Sequence, residues 1–349
     1  MNGKWKVVAI LLACVVPQHR AAQAEGAGAD GYRLSEPVSH GNLAIYLVHG
    51  PSRGGAVPLT LQEALKQRSV VVRETGQVNE LSVENTGDSE VFIQGGDIVK
   101  GGQQDRVLSV SQLLPPHSGP IPIASFCVES GRWAARGGED ARTFANANAA
   151  LPSRLAKLEM AATVAPKAGG SVGAVGTGQQ NIWRKVAEIQ SKLSTNIGAP
   201  MAAPRSRTSL QLTLENDQLA REQADYLAAL EPAGLAGDDI VGFVFAVNGK
   251  VNSADIYPSN GLFRKMWPKL LRTSITEAIG ERGGANEPPP PAAAASSFIA
   301  GADRATAVES KSGEQARVRV KEGTGFMAIE SRPALAPPDA WVHRSYLAK

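Results

Sequence analysis

Cysteine is scarce in this chain: only two occur in 349 residues, Cys14 and Cys127. One disulfide at most is open to it, and none if the segment carrying Cys14 is removed. Histidine is nearly as rare. Beyond residue 24 only His40, His49, His117 and His343 remain, with no H-x-H, H-E-x-x-H or paired-cysteine spacing. Neither a metal site nor a metal cofactor is therefore expected. Aromatics make up 5% of the chain, against 36 glycines and 22 prolines. That composition favours a turn-punctuated fold over a helical bundle. No charge of one sign dominates either. Lys and Arg total 36 and Asp and Glu 33, but Lys4, Lys6 and Arg20 all precede the first acid, Glu25. Past residue 24 the two signs cancel, so no general attraction to nucleic acid or anionic membrane is expected. No apolar run after the N-terminus approaches 18 residues, which argues against a permanent membrane anchor. There is no GxxxxGK[ST] phosphate loop and no G-x-S-x-G elbow. Gly173-x-x-Gly176-x-Gly178 runs the wrong way for a dinucleotide fingerprint and reads as flexible loop.

The first 24 residues carry what the rest lacks. Lys4 and Lys6 precede an apolar run from Val7 to Val16, and Ala22-Gln23-Ala24 closes the segment. These are the three parts of a secretory signal peptide, so cleavage after Ala24 and export to the periplasm or the exterior are expected. A lipoprotein-like box ending at Cys14 is the minor alternative. After cleavage Cys127 stands alone, as a buried thiol, a reactive thiol, or half of an intermolecular bridge.

At 43% hydrophobic, the chain can fill a core in one large domain or two. From Gly31 to Trp133 short β-branched runs alternate with turn signals: Leu43 to Val48, Val70 to Val72, Val78 to Val83, Val91 to Ile93, Val107 to Val110 and Ile121 to Ala124. A short helix over Leu59 to Gln67 is capped by Thr60. From Arg136 to Pro204 the composition shifts to Ala, Gly and Ser. Residues 136–235 read as loop and helices, with a loop from Pro166 to Gln180 and helices over Asn181 to Ser194 and Asp217 to Leu230. Ile240 to Val247 and Val251 to Ile256 flank Asn248-Gly249, the strongest hairpin signal present. A helix from Gly261 to Ile279 follows, interrupted or kinked at Pro268. Residues 287–297 read as a Pro/Ala linker or long loop. Strands return in residues 298–349, either as a small module or as completion of the main domain, residues 25–286. The expected class is α+β, a β-sandwich-like antiparallel sheet packed by several helices.

Several segments are dense in polar and special residues: Gln94 to Val107, Ile121 to Trp133, Gln179 to Ala187, Asn248 to Asp255 and Leu262 to Leu271. Together they resemble the ARG and rhodanese-phosphatase superfamily-associated protein domain, over about residues 30 to 285. His343 to Leu347 resembles the family's closing strand. The resemblance implies a loose connection with metabolism of ADP-ribose or nucleotide derivatives.

Two groups of residues carry candidate chemistry. Cys127 and Glu129, two apart in a strand, are expected on one face. His117 or His343 is a candidate base for the thiol, and the competing reading is a small buried hydrophobe. Gln103, Asp105 and Arg106 follow a double glycine that lets backbone approach a ligand. Arg106 and Arg132 are suited to an anion, Trp133 adjoins them, and Asp105 and Glu129 are candidates for general acid and base. The competing reading pairs Arg106 with Glu129, or Arg132 with Asp105, to pin strands together. The expected function is recognition, with processing a further option, of a small anionic or nucleotide-derived ligand. The alternative is a non-catalytic binding or structural module acting through a protein partner.

Overall fold

The structure, a computed structural model, describes residues 31–164, 175–283, 287–335, 337 and 340–349. The expected signal peptide, its Cys14 alternative and most of the Gly169–Gly178 segment lie outside them. Eighteen strands and seven α-helices are present among the described residues. The first part contains β1 (Arg33–Leu34), β2 (Val38–His40), β3 (Leu43–His49), β4 (Leu59–Thr60) and α1 (Leu61–Gln67). Then come β5 (Val70–Glu74), β6 (Glu80–Asn85), β7 (Val91–Ile93), β8 (Asp97–Gly101) and β9 (Arg106–Leu108). β10 (Gln112–Leu114), β11 (Gly119–Cys127) and β12 (Phe144–Ala150) complete the strand-rich half. The helical part holds α2 (Arg154–Val164), α3 (Val175–Ile197), α4 (Leu210–Leu214) and α5 (Asp217–Leu230). β13 (Ile240–Val247), β14 (Lys250–Ile256), α6 (Asn260–Gly280) and α7 (Ala292–Arg304) follow. β15 (Ala307–Ser312), β16 (Ala316–Glu322), β17 (Phe326–Pro333) and β18 (His343–Ala348) end the chain.

Three sheets result: nine strands around β3, β13 and β14, six strands ordered β12-β8-β9-β11-β6-β5, and three ordered β10-β7-β4. All pairings are antiparallel except a two-residue parallel contact of β4 with β7. The six- and three-stranded sheets face one another across Val72, Leu81, Val83, Val91, Ile93 and Leu108, closed at one end by Leu61 and Ala64 of α1. This is the expected α+β, sandwich-like architecture. α1 starts where Thr60 and Glu63 cap each other's backbone amides.

β3 is an unbroken apolar run because both its faces are covered. Leu43, Ile45 and Leu47 pack with Phe243, Phe245 and the α6 side chains, while Ala44, Tyr46 and Val48 face Ala295, Ile299 and Ala302 of α7. The β13–β14 turn falls on Asn248 and Gly249, at φ 51° and 74°, the left-handed values a two-residue hairpin demands. β14 also pairs with β18, so the last strands extend the sheet begun by β3.

Four local expectations need correction. Pro268 does not interrupt its helix: α6 runs from Asn260 through Gly280. The lost backbone hydrogen bond is outweighed by burial of Phe263, Trp267, Leu270 and Leu271 in one core. Residues 287–297 are not all linker, because α7 begins at Ala292, one residue after Pro291; alanines make a helix once a core face is offered. α3 begins at Val175, inside the expected loop. β12 and α2 were missed in the Ala-rich stretch, where small residues carry little periodicity.

Candidate functional site

Four of the candidate residues of the sandwich, Asp105, Arg106, Cys127 and Glu129, lie in the interior. β11 pairs with β6 in its first half and β9 in its second, and this register sets Cys127 directly opposite Arg106. The Arg106 Nη1 accordingly approaches Cys127 Sγ at 2.7 Å, and its Nη2 lies 3.3 Å from Glu74 Oε2. Both Arg106 and Cys127 are fully buried. Burial, opposed by Arg106 and reinforced by Glu74, pushes the thiol up to about 11. It is therefore a protonated thiol at neutral pH. Trp133, half exposed, lies with its ring 5.7 Å from the Arg106 guanidinium. Gln103 donates its backbone N–H to Glu74 Oε1 at 3.0 Å.

The strand ends at Cys127, so the two-apart rule does not carry through to Glu129. Its carboxylate turns instead to Arg132, 2.7 Å away, to Arg136 at 3.5 Å, and to the Ser206 hydroxyl. Burial works against its ionisation, yet the hydrogen bonds from Arg132, Ser206 and the Asp105 amide, with Arg136 nearby, hold it below the usual carboxylate range. Asp105 accepts both forks of Arg136, at 2.6 and 2.7 Å, together with Ser209 Oγ and the Gly101 amide. Arg132 reaches Asp105 only at 3.8 Å. The expected Arg132–Asp105 brace thus exists in weak form. The expected Arg106–Glu129 brace is replaced by Arg106–Glu74 and Arg132–Glu129. Arg136 was missed; its Ala/Gly-rich neighbourhood carries no local signal.

α3 clamps this region from outside the sheet. Gln179 accepts from the Cys127 amide at 2.8 Å and donates to its carbonyl at 2.9 Å, while Trp183 Nε1 donates to Glu129 O at 3.1 Å. Neither candidate histidine reaches the thiol. His117 pairs with Asp88 at the surface, and His343 with Ser111 and Asp255 in the core. Other residues of the family-like segments also prove to be buried partners: Asp97 binds Lys269, and Tyr257 donates to Gln94 at 2.6 Å. Among the described residues no group of three or more His, Cys, Asp or Glu is arranged to hold a metal ion.

Open space lies elsewhere. A cleft of about 460 Å3 is lined by Arg53, Arg319, Arg332 and Arg344 together with Trp341 and Glu330. Arg53 and Arg344 stand 5.2 and 4.5 Å from the Trp341 ring centroid. Glu330 accepts from Arg344 at 2.8 Å and lies 3.5 and 3.7 Å from Arg332 and Arg319. A second cleft, of about 510 Å3, has Glu277 in its wall. Burial raises the Glu277 pKa against the pull of Lys157, Arg154 and Asn252. Its Oε2 is shielded from solvent and has no hydrogen-bond partner among the described residues. Three of the lysines lining it are already matched, Lys185 with Glu188, Lys192 with Glu281 and Lys349 with Glu322.

An α+β domain with a buried charge cluster in one sandwich and an arginine-lined cleft on its large sheet is the class these features define. The family model of the ARG and Rhodanese-Phosphatase-superfamily-associated Protein domain matches residues 31–347, and the chain belongs to that family. Searches of the curated proteins and of the solved structures found no match.

Proposed function

We propose that this domain recognises a small anionic molecule, of the phosphate-bearing, nucleotide-derived class, in the cleft of Arg53, Arg319, Arg332 and Arg344. The observation that carries this reading is the convergence of four guanidiniums on one cleft, two of them held against Trp341. Planar guanidinium forks match phosphate and carboxylate oxygens bidentately. A fork already stacked on an indole gives up less freedom when the ligand arrives. The reading moves the anion from Arg106 and Arg132, in the sandwich interior, to an open cleft whose arginines also hold protein partners, Arg319 with Glu309 at 3.0 Å and Arg344 with Glu330 at 2.8 Å. It places the mature chain, after loss of residues 1–24, outside the cytoplasm.

The second reading is a non-catalytic module working through a protein partner. It is favoured by the burial of Asp105, Arg106, Glu129 and Arg136, and by the pairing of Arg106 with Glu74, Arg132 with Glu129 and Arg136 with Asp105. A thermal-melt panel with ADP-ribose, NAD, mononucleotides, phosphosugars and inorganic phosphate separates the two. Ligand at 100 times its Kd raises stability by about 2.7 kcal/mol, an upward shift of a few degrees. The expected shift vanishes in an Arg53→Gln/Arg319→Gln variant that keeps the wild-type melt without ligand. A flat panel would sink the anion reading and favour the partner-binding module.

A further inference from the structure

Three side chains from remote parts of the chain meet on the face of β17 and β18 opposite the arginine cleft. Ser111 Oγ lies 2.9 Å from His343 Nδ1, and His343 Nε2 lies 3.1 Å from Asp255 Oδ1, off the line of a well-formed hydrogen bond. Ser111 is 4% exposed, and His343 and Asp255 are 3% exposed each. The Gly95 amide donates to Ser111 Oγ at 2.8 Å. With that lone pair occupied, the hydroxyl proton is directed to Nδ1, and the ring proton then sits on Nε2, facing the carboxylate. The ring cannot swing freely. It stacks on Tyr257, with centroids 5.0 Å apart, and meets Phe92 edge-on at 6.0 Å. Burial opposes ionisation of Asp255, but His343, Lys157 and Ser345 hold its pKa below the usual range, so the carboxylate stays charged.

Ser111 and His343 also line a cavity of about 40 Å3. Partly exposed Ser109, Lys157, Ile329 and Ser345 border it. The space exceeds what one water needs and suits a short acyl group. We propose that Ser111 is an acyl-accepting nucleophile toward small esters, with His343 as its base and Asp255 orienting the imidazole. Ser111 Oγ bonds to the ester carbonyl carbon as its proton passes to Nδ1. The carbonyl electron pair moves onto oxygen, beside the Lys157 ammonium that lines the same cavity. On collapse the bond to the alkoxy oxygen breaks, and the departing alcohol takes the proton from Nδ1. Water then adds to the acyl carbon, passing its proton to Nδ1 and on to Ser111 as the acid leaves. The proposal does not depend on the arginine cleft.

The test uses the purified chain with p-nitrophenyl acetate, reading p-nitrophenolate release and mapping the acetyl group by peptide mass after acid quench. Release above the buffer blank is expected, with acetyl on Ser111 and loss of both in Ser111→Ala. His343→Gln is expected to slow acetylation by about 100-fold or more, and Asp255→Asn to slow it as well. Thermal melts certify which variants fold, and either base-side variant decides the roles if the other does not. Absence of acetyl-Ser111 in the wild type overturns the proposal. So does acetylation at the wild-type rate in a folded His343→Gln or Asp255→Asn chain.

Discussion

Arg136 supplies both forks to Asp105 and stands 3.5 Å from Glu129, with almost none of its side chain in contact with water. Removing one member of such a cluster leaves its partners charged, buried and unpaired, which costs more than the intact pair gains. Arg136→Ala is therefore expected to lower unfolding free energy by about 3–5 kcal/mol in urea titration; a loss below 1 kcal/mol would show that water reaches Asp105. Glu129 makes the same cluster pH-sensitive. Its folded pKa is depressed, so its contribution is complete above the unfolded carboxylate value and is lost as pH falls through the folded one. Glu129→Gln is expected to flatten the acid limb of stability against pH. Glu277 has the opposite sign: with a raised folded pKa, its contribution is present below the unfolded value and disappears as pH rises through the folded one. Glu277→Gln should thus gain on wild type as pH climbs from 4 to 8, in parallel melts. Cys127, buried and with its thiol held near 11, is expected to react with a disulfide reagent at pH 8 only at the rate of unfolding. Immediate stoichiometric reaction in the native protein would contradict that burial.

At the scale of elements, two features fix helix positions. The reciprocal cap of Thr60 and Glu63 starts α1, and Thr60→Ala is expected to cost about 1 kcal/mol. Gly234 lets the turn after α5 lie flat against Trp267. A Cβ added there would stand 2.2 Å from the indole, whose Nε1 also donates to Glu231 O at 2.9 Å. Gly234→Ala must displace a fully buried ring of α6, so it is expected to lower the thermal midpoint more than Gly54→Ala, which meets nothing within 4 Å. Equal midpoints would mean that the Trp267 contact is dispensable.

For the whole molecule, β18 lies between β14 and β17, so the last strands and the β3–β13–β14 centre share one ladder. Deleting residues 305–349 would strip β14 of a buried neighbour and uncover its edge, a template for aggregation. The full chain is expected to unfold in one calorimetric transition, and the truncated chain to be insoluble. Two separated transitions in the full chain would instead mark the C-terminal strands as an independent unit. The β17–β18 pair also divides the two proposed surfaces. Ile329, Ser331, His343 and Ser345 border the small cavity, while Glu330, Arg332 and Arg344 line the arginine cleft. Strand alternation alone puts them on opposite faces.

Local pattern in the sequence determined much of this: the apolar runs that became β3 and β13, the Asn248-Gly249 turn, the Thr60 cap, and the α+β class. Each depends on neighbours a few residues apart, where periodicity and turn chemistry act. The Ala-rich stretch was less legible, because alanine takes its conformation from whatever surface packs on it, as with α7 and β12. The partners of the charged residues were decided only by tertiary structure. Asp105 and Glu129 were readable as unusual carboxylates among strands, yet Glu74 for Arg106, Arg136 for Asp105, and Asp255 with Ser111 for His343 come from register and long-range packing. Ion pairing and proton relay act over about 3 Å in space, and the chain brings those atoms together from up to 232 positions away. No spacing rule along the sequence encodes such a meeting, whereas the closing of one large sheet enforces it.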